Sequence, residues 1–387
     1  MKIVFLISSI SKTNPGIGGH YYSLIETLNQ LAKTHTVWVI NIGIKEAISL
    51  NKLDHKVINV IEKGPKLYTI YKRVKGIINE EKPDIIHSFD HISFLWARLV
   101  GQKLKIPYSL TKCGGVNPVY YPFVEHLVLF SEENKQHFQS KTKYINSNIH
   151  IIPNRIQRFE SDYDRIKTIK DSLGNYNNSF KFLRITRIKE YYFESSVQLI
   201  NLVNKLTEDG IKCSLIFIGT IENEEVFQRL KKLSGENCFY FTTPSFTMNA
   251  KQLLDISDAV LGTGRGFMEA SSKSKIMLAP IKSSSFPLLI NEENFKEAFN
   301  YNFSERLTIS NFDESENYHD IKEIITTSTL KQRKSELAIK LFNEFFDSNR
   351  INTKYAAVFS KMKKNNKKAY FDLFLHFLFV IRAFLKQ

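Results

Sequence analysis

The stretch Gly262-Thr-Gly-Arg-Gly-Phe-Met-Glu269 brings together three kinds of group that suit one class of ligand. Glycines let backbone N–H groups approach a phosphate closely, and a helix that starts there adds partial positive charge. Arg265 offers a planar fork for an anion. Glu269, about one helical turn further on, is an acceptor for sugar hydroxyls. Gly264, Arg265, Gly266 and Glu269 together suit a nucleotide, with donors for its phosphates and an acceptor for its ribose. The alternative is an ordinary strand-to-helix turn with a surface arginine, because short glycine motifs recur by chance.

Such residues need strands to hold them. The apolar run Asp258-Ala-Val-Leu261 precedes the motif and Ile276-Met-Leu-Ala279 follows it. The same alternation extends through the chain. A buried-type strand over 3–7 leads into the loop Asn14-Pro-Gly-Ile-Gly-Gly19. A helix with Leu24, Leu28 and Leu31 on one face comes next, then a strand over 36–40. That is a βαβ unit, which implies a parallel sheet and a right-handed crossover. Further strands are expected over 84–87, 108–111 and 127–130, with a short one from Ile149 that ends in a turn by Arg155. The polar stretch 157–179 reads as a domain junction. Strands over 180–185, 214–218, 239–242 and 259–261 then alternate with helices over 195–206, 224–233 and 250–256.

The expected architecture is therefore α/β: two doubly wound, Rossmann-like domains and a helical tail. The N-terminal domain is placed at 1–156, the second at 175–330 and the tail at 331–387. Ligands of such sheets bind beyond the carboxyl ends of the strands, so a cleft between the two domains is the expected site.

Bulk properties agree with two globular domains. The chain has 387 residues, 43% hydrophobic and 24% charged. Cys113, Cys213 and Cys238 have no metal-ligand spacing and suit a reducing compartment. The apolar start, Met1 to Ile7, is followed by Ser8-Ser9 without a cleavage pattern and reads as a first strand rather than a leader. No stretch reaches the ~20 apolar residues of a membrane-spanning helix. The net charge of +15 calls for an anionic partner. Lys361, Lys363, Lys364, Lys367 and Lys368 stand directly before an aromatic segment, Ala369 to Leu385. At helical spacing Asp372, His376, Arg382 and Lys386 fall on one side, with most of the rest apolar. This pattern fits an interfacial anchor on anionic lipid, or else a terminal helix docked on the protein's own core. Nucleic-acid binding is not expected, since the charge is concentrated at one end beside phenylalanines.

The order of these motifs resembles the GT-B glycosyltransferases, in particular the retaining family 4 group, over about residues 1–310. Gly16-Ile-Gly18-Gly19-His20 looks like that family's glycine-rich acceptor-side loop. Lys82-Pro-Asp-Ile-Ile-His87-Ser-Phe-Asp90-His91 resembles its strand with a proline, an aspartate, an apolar pair and a histidine. Ile152-Pro153-Asn154 is similar to its interdomain connection. Arg187 and the segment Gly264 to Ala270 resemble its donor-binding half. The chain departs from the pattern in two places. Leu261 stands where the family usually has a first glutamate, as in a subset with a Gly-x-Gly-Arg version, and Tyr192 stands where it usually has a lysine, which leaves Lys189 as the nearest cation.

The resemblance implies transfer of a sugar from a nucleotide-diphosphate sugar, with no metal or other cofactor. Negative charge then grows on the leaving diphosphate, and Arg187 and Lys189 are the candidate cations to stabilise it. Backbone groups at Gly18, Gly19, Gly264 and Gly266 would add to them. Glu269 would bind ribose, and Arg265 can instead pair with Glu269 and hold it. For the acceptor's proton, His20, His87 and His91 are the nitrogen bases and Asp90 the carboxylate alternative; His91 lies closest to a cleft. The leaving phosphate can also take the proton. Lys112 and Asn117 follow another strand and would contact acceptor hydroxyls or a lipid diphosphate. No Asp-x-Asp pair follows a strand, and Walker, zinc and Gly-x-Ser-x-Gly patterns are absent. The partners expected are a nucleotide sugar, a lipid-linked glycan acceptor for a surface polysaccharide and an anionic membrane, at the cytoplasmic face. A nucleotide-sugar 2-epimerase and a non-catalytic glycan- or partner-binding protein are the alternatives.

Overall fold

Strand alternation builds two cores against each sheet of the protein. In β1 (Lys2–Ser9), Val4 and Leu6 enter one buried cluster while Ile3, Phe5 and Ile7 enter another on the opposite face. A strand buried on both faces reads as a continuous apolar run, which is why this one is evident in the sequence. The computed structural model describes residues 1–387 except 12–14, 52, 363–368 and 386–387. It divides into two units, residues 1–155 with 348–387, and residues 156–347.

The first unit holds seven parallel strands: β1, β2 (Thr36–Gly43), β3 (Val57–Ile61), β4 (Ile85–Ser88), β5 (Tyr108–Lys112), β6 (His126–Leu129) and β7 (Asn148–Ile151). Their order is β3-β2-β1-β4-β5-β6-β7. The chain winds outward from β1, then returns to β4 beside it, so the topological switch lies between β1 and β4. The second unit repeats this plan with β8 (Phe180–Ile185), β9 (Cys213–Ile218), β10 (Cys238–Phe241), β11 (Ala259–Leu261), β12 (Ile276–Ala279) and β13 (Leu288–Leu289). Their order is β10-β9-β8-β11-β12-β13, parallel except for the β12–β13 pair. Its switch lies between β8 and β11. Here too alternate residues serve two cores: Phe182 one, Leu183 the other.

The boundaries differ from the expected ones. The polar stretch 157–179 belongs to the second unit. There Asp162 accepts from the Arg165 amide, capping the helix Tyr163–Ser172, whose Ile166 and Ile169 are buried. The tail is also shared out. The helix Ser328–Leu341 packs in the second unit through Leu337, Ala338 and Leu341. The helix Ile351–Ser360 joins the first unit, where Tyr355, Val358 and Phe359 enter the core beside Phe5.

The last helix, Tyr370–Leu385, also docks on the first unit, by a stripe that is polar in its first half and apolar in its second. Asp372, His376, Val380 and Phe384 are buried, at intervals of four residues. Arg98 donates to Asp372 Oδ2 at 2.7 Å, the Phe123 amide donates to the same oxygen at 2.9 Å, and Lys143 pairs with Oδ1. His376 Nε2 donates to the His91 carbonyl at 2.6 Å. Arg382 is exposed, so the polar residues do not form one solvent-facing side. Of the expected lysine run, Lys363, Lys364, Lys367 and Lys368 lie outside the described residues, as does Lys386.

Candidate functional site

The carboxyl ends of β8 and β11 carry the two segments picked out in the second half of the sequence. After β8 the chain is anchored by Ile188, which is buried and bridged to Ile221. On either side of this anchor Arg187 and Lys189 converge on one carboxylate: Arg187 Nη1 lies 3.2 Å from Glu222 Oε1 and Lys189 Nζ 3.6 Å from Oε2. The Lys189 ammonium stands 5.5 Å from the ring centre of Tyr192. Two cations share one carboxylate, so the cluster keeps net positive charge. The Arg187 side chain is 55% exposed, and an exposed pair is worth about 0–1 kcal/mol. An anion could therefore displace Glu222 at little cost.

After β11, Gly262 is required by close packing, because a Cβ there would come within 2.5 Å of the Phe267 backbone. Gly264 has φ 48° and ψ −118°, a conformation closed to side chains, and it caps the helix Arg265–Ser271. Its amide donates to the Asn302 carbonyl at 3.0 Å, and the Gly266 amide donates to Thr263 O at 3.0 Å. The expectation that both amides face a phosphate is thus corrected: the turn consumes them itself. Arg265 has the second of its two expected roles. Its Nε donates to Glu269 Oε1 at 2.8 Å, one helical turn away, with both side chains largely buried. The pair fixes the carboxylate expected to bind ribose.

Sequence reasoning missed the brace behind these groups. Arg184 on β8 is fully buried; it donates to the Leu261 carbonyl at 3.0 Å and to Ser195 Oγ at 2.9 Å, and pairs with Glu305 at 3.5 Å. It ties the end of β11 to the start of the helix Phe193–Glu208. Asn302 and Phe303 both have positive φ, and the Phe303 ring stacks on Phe267 at 3.6 Å. Asn302 and Phe303 thereby hold the glycine turn. The only sequence signal was a lone arginine in the otherwise apolar end of β8.

In the first unit the loops after β1, β4 and β5 carry the remaining candidates. The helix Gly19–Leu31 starts at Gly18 with no acidic residue in its first turn, so no carboxylate of that turn offsets the positive end of its dipole. Gly18, Gly19 and His20 sit at that end, with the His20 ring 4.3 Å from Tyr21. His87 is corrected from base to core residue. Its nitrogens lie 2.6 and 2.8 Å from Ser109 Oγ and Thr111 Oγ1, four aromatic rings surround it, and burial lowers its pKa to about 3. Asp90 is corrected likewise. Its carboxylate accepts from the amides of Ser8, Ile92 and Ser93 at 2.7–2.9 Å and from two serine hydroxyls, joining the ends of β1 and β4.

Lys112 is buried and donates to the carbonyls of Gly114 and Gly115 and to Asn134 Oδ1, at 2.5–3.3 Å. Asn117 donates to Glu133 and accepts from Asn134. Both residues brace the loop 113–118 in place of the expected acceptor contacts. His91 remains. Its ring lies 5.8 Å from Tyr121 and 5.1 Å from Phe379. Burial lowers its pKa, with Asp90 opposing and Lys112 adding to the shift, so the neutral imidazole is favoured.

No family model and no curated protein matches the sequence. Solved structures do match the fold. The structure of HepE from Anabaena in complex with UDP superposes with a TM-score of 0.68 at 14% identity, covering 94% of this chain and all of the other. The lipopolysaccharide outer core galactosyltransferase WaaB in its apo form gives 0.61 at 14% identity, with 94% and 100% covered. A Listeria monocytogenes protein assigned as a UDP-N-acetylglucosamine 2-epimerase gives 0.56 at 15% identity, with 95% and 99% covered. Two switch-point sheets with flanking helices, matched along nearly the whole length of these structures, give the chain the GT-B fold of two Rossmann-like domains.

Proposed function

We propose that this protein is a retaining, family 4-like glycosyltransferase, which moves a sugar from a UDP-sugar to a lipid-linked glycan acceptor in surface polysaccharide biosynthesis. The observation that carries this reading is the placement of Arg187 and Lys189 after β8 and of the Arg265–Glu269 pair after β11, on the two sides of one switch point. There the cations meet a diphosphate and the fixed carboxylate meets ribose hydroxyls. UDP as the nucleotide is supported by the complex of HepE, and a glycolipid acceptor by the name of WaaB.

In the proposed reaction the bond from the anomeric carbon to the β-phosphate oxygen breaks as the acceptor oxygen bonds to that carbon. The electron pair goes to the diphosphate, where Arg187 and Lys189 stabilise it more strongly than in the ground state. The acceptor's proton goes to the leaving phosphate oxygen or to His91. No step calls on a metal, and the enzyme is placed at the cytoplasmic face of the membrane.

The likeness to a 2-epimerase supports a second reading, conversion of the donor alone. Product analysis separates the two. The protein is incubated with labelled UDP-hexoses and excess chelator, with and without a polyprenyl-diphosphate-linked glycan. Release of UDP and label in the lipid, both dependent on the acceptor, are expected. An epimerised donor formed without acceptor would establish the second reading, and an unchanged donor in both arms would leave a binding protein.

A further inference from the structure

The last helix is docked by Asp372, His376, Val380 and Phe384, and its other aromatic residues face outward. Tyr370, Phe371, Phe374, Phe377, Leu378 and Leu385 are exposed, Phe371 at 75%, Phe374 at 57% and Leu378 at 45%. Val119 and Tyr120 extend this face from the neighbouring loop: Val119 is fully exposed, and the Tyr120 ring lies 5.6 Å from Phe379 while its hydroxyl donates to the Asp372 carbonyl at 3.3 Å. An ordinary surface helix presents charged and polar residues on its outer face instead. A contiguous apolar patch of this kind marks an interaction site. The helix cannot roll over to hide it, because Arg98, Lys143 and the Phe123 amide hold Asp372, and His376 holds the His91 carbonyl.

Charge selects the occupant. Between residues 361 and 387 the sequence has seven cations, Lys361, Lys363, Lys364, Lys367, Lys368, Arg382 and Lys386, and a single acid, Asp372. That acid is buried against Arg98. Tyr370 at the start of the helix is exposed, as an interfacial tyrosine would be. Sixteen residues give a rod about 24 Å long. Among the described residues no helix is long and apolar enough to cross a membrane, so this one would lie in the interface.

We infer that the outward face of the helix Tyr370–Leu385, continued by Val119 and Tyr120, seats the protein on an anionic lipid bilayer. This deepens the proposed function by naming the surface that meets the lipid carrying the acceptor, and it rests on that reading. His91 closes the argument. Its ring touches Phe379 and its carbonyl accepts from His376, so the candidate base stands at the edge of the seated face, where a glycolipid headgroup arrives.

Flotation of the full chain with phosphatidylcholine vesicles, with and without phosphatidylglycerol, tests this. The protein should float with the anionic vesicles only, less so at high salt. The triple variant Phe371→Ser, Phe374→Ser, Leu378→Ser should partition at least ~10-fold less, with an unchanged melting temperature and an unchanged response to UDP. UDP binding is read on the same samples, so failure of the donor reading and failure of the lipid surface are separate results. No flotation of the parent chain, or equal flotation of the variant, overturns the inference. So does a parent dimer that the substitutions dissociate without any lipid binding, since a second copy would then cover the face.

Discussion

Arg187→Ala should lower kcat/KM for sugar transfer by about 10²–10³, the usual loss when one group that stabilises growing charge is removed. The loss should fall mainly on kcat, because Arg187 acts on charge that develops as the glycosyl–phosphate bond breaks. Stability should hardly change, since the side chain is more than half exposed and its partner Glu222 keeps Lys189. That separation makes the result informative. A folded variant with activity within threefold of the parent would remove Arg187 from the diphosphate, and a collapse of melting temperature would make it structural. Steady-state kinetics with a thermal melt on the same preparation reads both.

Asp372→Ala should destabilise the first unit by about 3–5 kcal/mol, the cost of leaving a buried charge without its partner. The Arg98 side chain is 2% exposed and that of Asp372 11%, so water does not replace the lost carboxylate. The helix Tyr370–Leu385 should come free, seen as faster hydrogen exchange and proteolysis in 369–385. Acid should act the same way. Burial alone would raise the pKa of Asp372, but Lys143, the Phe123 amide and Arg98 together hold it below the usual carboxylate range. A carboxylate with a depressed folded-state pKa contributes stability that is present above its unfolded value, about 3.9, and is lost as pH falls through the folded value. Buried His376 on the same helix has its pKa lowered to about 4, so its contribution fades as pH falls below its unfolded value, about 6.5. Docking should therefore weaken through mild acid and fail once Asp372 is protonated as well. Exchange in the helix that stays flat from neutral pH down to about pH 4 would contradict this account, as would an Asp372→Ala variant as stable as the parent.

The sequence reveals whatever depends on local pattern and hides whatever depends on a distant partner. The strands β1 and β8 are legible because they are buried on both faces, and the glycine turn because Gly262 and Gly264 have no substitute there. β3 is not legible: it is an edge strand in which only Val60 is fully buried, so its apolar signal is weak. Helical periodicity gives the two sides of residues 370–385 but not which side faces inward. That is decided by Arg98, 274 positions away from Asp372. The same limit applies in the site. Arg187, Lys189, Arg265 and Glu269 are found by motif, whereas Arg184 acts through a carbonyl 77 positions on and Asp90 through Ser8, 82 positions back. Lys112 and Asn117 follow a strand end, as binding residues do, yet two positive-φ glycines, Gly114 and Gly115, create a loop that needs them as props. Residue type and placement locate a site; the hydrogen-bond partners decide which of its members remain free to act.

The central claim is that the second unit holds a uridine diphosphate between the Arg187–Lys189 pair and Glu269. A thermal-shift titration with UDP, beside ADP, GDP, CDP and dTDP, tests it most directly. Each shift is read against the same protein without ligand, and the series is repeated with Glu269→Ala. A ligand at about a hundred times its dissociation constant adds ~2.7 kcal/mol, or about 5–10 °C for a unit of this size. The account predicts a shift of that order with UDP, smaller shifts with the other nucleotides, and its loss in Glu269→Ala. No shift with any nucleotide, or a UDP shift that survives Glu269→Ala unchanged, would contradict it.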